Sequence, residues 1–145
     1  LRMSRGLGDV YKRQVYRSSQ AFFDETLAPY QIGCGQQFFL MRIYEQPGIS
    51  QFELAETGSF DKGTCARAVK KLEELGYLRR ETRSSDRRSV QLYLTGQGEQ
   101  LVPVIQGMLL EWNAILCRTL QADEKEQAER LLDEIAGNAA AYIKR

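Results

Sequence analysis

The sequence contains no histidine. That removes the most frequent general base and the most frequent metal ligand together. Its cysteines, Cys34, Cys65 and Cys117, are widely spaced and odd in number. This argues against a disulfide framework and against a zinc site of CxxC type, and makes a reducing cytoplasm the simpler setting. No apolar run approaches the roughly 20 residues that span a bilayer, so a membrane protein is not expected. The N-terminus lacks the sustained apolar segment of a secretory signal. No GxSxG, P-loop or dinucleotide-binding glycine pattern is present. An enzyme is therefore disfavoured, although carboxylate-only chemistry stays open, and neither a metal nor a cofactor is expected.

What is present is an ordinary composition, 43% hydrophobic and 27% charged over 145 residues, enough for one domain with a real core. The chain opens at Leu1 rather than at Met, and LRMSRGLGDVYKRQ has little helical periodicity. Residues 1–14 are set aside as a non-native or disordered leader, and 15–145 are read as a single domain. The net charge of +1 hides an asymmetry. Residues 62–88 hold nine Lys and Arg against four acids, whereas residues 99–145 hold five against eight. A charge run of this kind is either a solvated face or the footprint of a nucleic-acid site.

Hydrophobic spacing and punctuation divide the chain into helices and a hairpin. Val15 to about Leu27 reads as a helix, followed by Ala28-Pro29 and Gly33-Cys34-Gly35, and Gln36 to Glu45 as a second, apolar one stopped by Gln46-Pro47-Gly48. Ser50 and Glu53 fit a capping box at the start of a short helix, 51–57. Asp61 is an N-cap for a longer helix through Leu75, closed by Gly76. Two helices joined by a short glycine-containing turn form a helix-turn-helix. In the second, Cys65, Ala68, Val69, Leu72 and Leu75 share one face, opposite Gly63, Arg67, Lys70 and Glu74. Such a helix can enter a major groove with Arg67 reaching a guanine edge, or it can be an amphipathic surface helix.

The next residues favour the first reading. Leu78 to Arg83 and Arg88 to Thr95 read as two strands around Ser84-Ser85-Asp86-Arg87, with Val90, Leu92 and Leu94 alternating inward. A helix-turn-helix followed at once by a hairpin is a winged helix, and the arginines sit on its wing. The fold class expected is mainly α with a small β-hairpin wing. Gln97 to Leu120 then reads as a long helix with apolar residues at 101, 105, 108, 112 and 115, which Pro103 bends or interrupts. Asp123 to Ile143 reads as a last amphipathic helix. Its apolar stripe covers either the domain's own core or a partner's, and a dimer interface is favoured.

The motifs ISQFELAE (49–56), DKGTCARAVKKLEELGYLRR (61–80) and DRRSVQLYLTGQG (86–98) resemble the MarR (multiple-antibiotic-resistance regulator) family of winged-helix transcription factors over residues 15–145. The family's wing reads Asp-x-Arg and then a strand ending Leu-Thr-x-x-Gly, which Asp86, Arg88, Leu94, Thr95 and Gly98 match. The resemblance implies a cytoplasmic homodimer, joined by helices within 15–30 and 97–145, around a winged-helix region, 36–95. It implies a regulator, more readily a repressor than an activator, that binds a pseudo-palindromic double-stranded DNA operator. Thr64 and Arg67 become base readers, and Lys62, Lys70, Lys71 and Arg87 phosphate contacts. Arg88 is expected in or near a minor groove, oriented by Asp86. Ser50 and Gln51 would meet phosphate through backbone N–H groups.

Some members of the family bind small aromatic acids between the dimer helices and the winged helix. Tyr16, Phe39 and Trp112 would line that cleft here, or else be core aromatics. Others sense peroxides through a cysteine near the start of the first helix. This sequence has none between 15 and 33, and Cys34 beside a helix N-terminus is the candidate left. The competing functional reading is a winged helix used for protein–protein contact without specific DNA binding.

Overall fold

The computed structural model describes residues 6–58, 60–82 and 90–144. The chain divides into two compact units, Leu1–Leu109 and Leu110–Arg145. The helices are α1 (Lys12–Leu27), α2 (Cys34–Glu45), α3 (Gln51–Thr57), α4 (Lys62–Glu74), α5 (Gly96–Leu116) and α6 (Ala122–Ile143), with strands β1 (Leu78–Thr82) and β2 (Val90–Leu94) between α4 and α5. A π-helical turn, Leu7–Tyr11, runs directly into α1, so helical backbone starts eight residues before Val15. An Asp9–Arg13 ion pair of 2.9 Å at i,i+4 spacing spans that start, a local contact that hydrophobic periodicity does not register.

The first unit is built around one core. Leu27 of α1, Phe39, Leu40 and Ile43 of α2, Leu54 of α3, Cys65, Val69 and Leu72 of α4, Leu92 of β2, and Leu101, Ile105 and Met108 of α5 are all buried. On α4 the buried positions Cys65, Ala68, Val69 and Leu72 are the face that helical spacing selects. The helix starts where expected: Asp61 Oδ1 accepts the Thr64 N–H at 2.8 Å. It ends in a Schellman motif, with Gly76 at φ +82°, Tyr77 N–H donating to the Leu72 carbonyl and Gly76 N–H to the Glu73 carbonyl, both at 3.0 Å. That reversal sends the chain straight into β1.

β1 and β2 pair antiparallel, from Leu78 opposite Leu94 to Thr82 opposite Val90. Leu92 is buried, and Val90 and Leu94 pack against the core. Sequence pattern missed a second pairing, on the other edge of β2. Gly48 N–H donates to the Leu92 carbonyl at 2.9 Å, Leu92 N–H to the Ile49 carbonyl at 3.0 Å, and Ser50 bridges Gln91. The segment is too short to show alternation, yet it fixes the start of α3 against the hairpin.

The LTxxG stretch joins hairpin to α5. The Thr95 hydroxyl donates to the Gly76 carbonyl at 2.6 Å and accepts the Gly98 N–H at 3.1 Å, while Thr95 N–H donates to the Tyr77 carbonyl at 3.1 Å. One side chain thus caps α5 and ties it to the end of α4. α5 closes at Leu116, four residues short of Leu120, in a turn where Leu120 N–H donates to the Cys117 carbonyl at 2.9 Å. In the second unit, α6 has no buried residue, and Leu131, Leu132, Ile135 and Ile143 of its apolar stripe are exposed.

Candidate nucleic-acid interface

With one face of α4 buried, its other face is left to solvent. Lys62, Gly63, Arg67, Lys70 and Lys71 are exposed and Thr64 is half-buried. The N-terminal turn carries a chain of hydrogen bonds. Arg67 Nη2 donates to Thr64 Oγ1 at 3.3 Å, and the Thr64 hydroxyl donates to Asp61 Oδ2 at 2.7 Å. The Thr64 hydroxyl and N–H bonds, with Arg67's charge nearby, hold the Asp61 carboxyl below its ordinary range, so it stays ionised. The structure therefore brings Thr64 and Arg67 together at one end of the helix. Lys62 sits beside them, its ammonium 5.7 Å from the centre of the exposed Phe52 ring.

Lys70 and Lys71 lie a turn further along. Lys70 has Glu74 at 4.0 Å, an exposed i,i+4 pair too weak to hold it from another anion. Ser50 Oγ accepts the Glu53 N–H at 3.1 Å, which is the serine half of the expected capping box. Gln51 is tied to α4 through its carbonyl, which accepts from the Cys65 thiol at 3.6 Å. Its side-chain oxygen accepts from Arg80 Nη1 at 3.4 Å, and Arg80 Nε donates to Glu73 at 2.8 Å. Arg80 thereby links α3, α4 and β1. In the sequence it was one more cation in a basic run, since a bond to a residue 29 positions away leaves no local pattern. Arg79, its neighbour, pairs with Glu81 and lies 4.7 Å from the Tyr93 ring centre.

Asp86, Arg87 and Arg88, the expected wing residues, lie outside the described residues. The three aromatics assigned to an effector cleft differ in setting. Tyr16 on α1 is 61% exposed. Phe39 is 1% exposed, its ring 5.4 Å from that of Phe38 and 4.9 Å from that of Phe60, so it is a core aromatic of the first unit and not a free cleft wall. Trp112 is half-buried and belongs to the second unit. Among the described residues, no group of three His, Cys, Asp or Glu is placed to hold a metal ion, and no helix is long and apolar enough to cross a membrane.

Cys34 occupies the first position of α2, where a helix dipole favours thiolate. Two opposing effects win: burial pushes its pKa up, and the Asp24 carboxylate pushes it further. Asp24 Oδ1 accepts the Cys34 N–H at 2.8 Å, which fixes that negative charge beside the sulfur. A raised pKa means less thiolate at neutral pH. Cys34 is expected to react with iodoacetamide more slowly than a free thiol, and Asp24→Asn is expected to accelerate it. Residue-resolved mass spectrometry separates it from Cys65 and Cys117; equal or slower labelling in the variant would contradict this account.

Comparison with known proteins agrees with the geometry. Residues 35–90 match the model of the MarR family. The HTH-type transcriptional regulator BilQ of Clostridium symbiosum (strain WAL-14163) is 31% identical over 135 residues, 92% of this chain and 94% of its own length. The crystal structure of a MarR transcriptional regulator from Methanosarcina mazei Go1 is 33% identical with a TM-score of 0.84, covering 91% of this chain and 88% of that one. A mutant MarR from E. coli complexed with operator DNA is 25% identical with a TM-score of 0.77, covering 86% of this chain and 90% of that one. On these likenesses, the chain belongs to the MarR family of transcriptional regulators.

Proposed function

We propose that the chain binds a specific double-stranded DNA operator through α4, acting in the cytoplasm as a homodimeric repressor that a small molecule or other signal releases. The observation that carries this reading is the division of α4. One face is locked into the core, and the other presents Lys62, Arg67, Lys70 and Lys71 to solvent around a hydrogen-bonded N-terminal turn. A rigid helix displaying cations and a hydrogen-bonding tip suits the major groove, where Thr64 and Arg67 read bases and the lysines meet phosphate. Ser50 and Gln51 take phosphate at the start of α3. On the wing, Asp86 orients Arg88 towards a minor groove beside Arg87. Dimerisation is supported by α6, whose large apolar side chains are exposed from Leu131 to Ile143, Ile143 by 79%. A stripe of that length on a soluble chain needs a cover. Two copies related by a two-fold axis place two α4 helices against successive major grooves, and so call for a pseudo-palindromic site.

The reading is tested by titrating binding to duplex DNA against salt. Each phosphate neutralised releases a counterion, so several lysine contacts make log K fall steeply with log salt. Arg88→Ala is expected to weaken binding while leaving the dimer intact by light scattering. A flat salt dependence would favour a protein-binding winged helix, unchanged affinity in the variant would remove the wing from the interface, and a monomeric wild type would contradict the dimer.

A further inference from the structure

Gly63 stands on the exposed face of α4, one residue inside its start, and nothing in the backbone asks for glycine there. Its φ is outside the left-handed region, unlike those of Gly48 and Gly76. Within a helix glycine is less favourable than alanine by roughly 0.5–1 kcal/mol. What uses the missing side chain is Arg67. A Cβ built on Gly63 would lie 3.2 Å from Arg67 Nη1, 3.9 Å from Arg67 Cζ and 3.2 Å from Asp61 Oδ1. The guanidinium therefore lies across the bare backbone of Gly63, beside the Asp61 carboxylate, with Nη2 donating to Thr64 Oγ1.

We propose that Gly63, together with the Asp61–Thr64 hydrogen bond, is a specificity-determining seat that pre-orients the Arg67 guanidinium for reading a base. Thr64 is held as an acceptor toward Arg67 because its own proton is committed to Asp61 at 2.7 Å. Arg67 spends one of its five N–H groups on that bond, which leaves the others for a guanine O6 and N7. Fixing the fork before encounter reduces the side-chain ordering that binding would otherwise require. Asp61 is a positioning residue here: its negative charge would repel phosphate, and it acts through Thr64. This inference rests on the reading of α4 as the DNA-recognition helix.

The test uses the full chain and a duplex that the wild type selects from a random-sequence pool, with a scrambled duplex for comparison. Gly63→Ala pushes the guanidinium and the Asp61 Oδ1 atom, each 3.2 Å from the new methyl, aside by a few tenths of an ångström. Alanine's better helix propensity offsets that strain on the cap, so melting temperature is expected to stay level. The ratio of specific to scrambled affinity is expected to fall about fivefold, the lower end of what a bidentate base contact is worth. In an Arg67→Ala background the same change is expected to leave the ratio unaltered. Thr64→Val is expected to lower the ratio and Thr64→Ser to preserve it. An unaltered ratio for Gly63→Ala, an equal loss with Arg67 absent, or failure of Gly63→Ala to fold would each overturn the seat. Failure of the wild type to select any duplex would overturn the DNA-binding reading itself, and the seat with it.

Discussion

Gly98→Ala is expected to destabilise the first unit by about 3 kcal/mol, at the upper end of typical overpacking penalties. The added methyl would overlap the Tyr77 carbonyl oxygen and come within 3.0 Å of its carbonyl carbon. Both are backbone, so no side-chain rotation relieves the clash. That carbonyl is also the acceptor for Thr95 N–H, so displacing it breaks the tie between β1 and the start of α5. Thr95→Ala is expected to lose less, about 1 kcal/mol for a helix cap, and Thr95→Ser to lose little because the hydroxyl remains. On the same helix, Gly107 has nothing within 4 Å of a built Cβ, and Gly107→Ala is expected to stabilise by about 0.5–1 kcal/mol. Urea unfolding at constant slope measures all four. Equal stability of Gly98→Ala and Gly107→Ala would show that α5 can shift to accept the methyl.

This contrast also marks what local pattern can reveal. Asp61, Ser50 and Gly76 were readable because a cap acts within three or four residues of itself, and the structure keeps each in its role. The α4 face was readable because helical spacing alone selects Cys65, Ala68, Val69 and Leu72. Gly98 was visible as part of a family motif, yet its reason, a carbonyl 21 positions back, was not. Nor were the Arg80–Gln51 bond or the Ile49 pairing with Leu92, which are set only when distant segments pack. Cys34 shows the remaining difficulty: its helix-start position points one way, and burial with Asp24 points the other and prevails. Of the candidate interface, the cations were legible in the sequence. Their arrangement around Thr64 and Asp61 was not.

Arg67→Ala is expected to relax base discrimination by about 1–3 kcal/mol at one position in each half-site, with the slope of log K against log salt little changed. The exposed face of α4 holds four cations, and among the described residues only Arg67 of the four is braced by a hydrogen bond to a residue on the helix tip. Lys70 faces Glu74 and Lys62 lies over Phe52, contacts that leave a flexible ammonium, a point charge suited to phosphate. Loss of a base contact removes sequence information and leaves counterion release alone, whereas Lys71→Ala is expected to lower the salt slope by about 1 and weaken all duplexes alike. Arg67→Lys keeps the charge and loses the planar fork, so it is expected to follow Arg67→Ala in discrimination while resembling wild type in salt dependence. Selection from a random pool, repeated for each variant, reads discrimination directly. If Arg67→Ala weakens selected and scrambled duplexes equally, Arg67 belongs with the lysines as a phosphate contact, and base reading must come from Thr64 or from the wing.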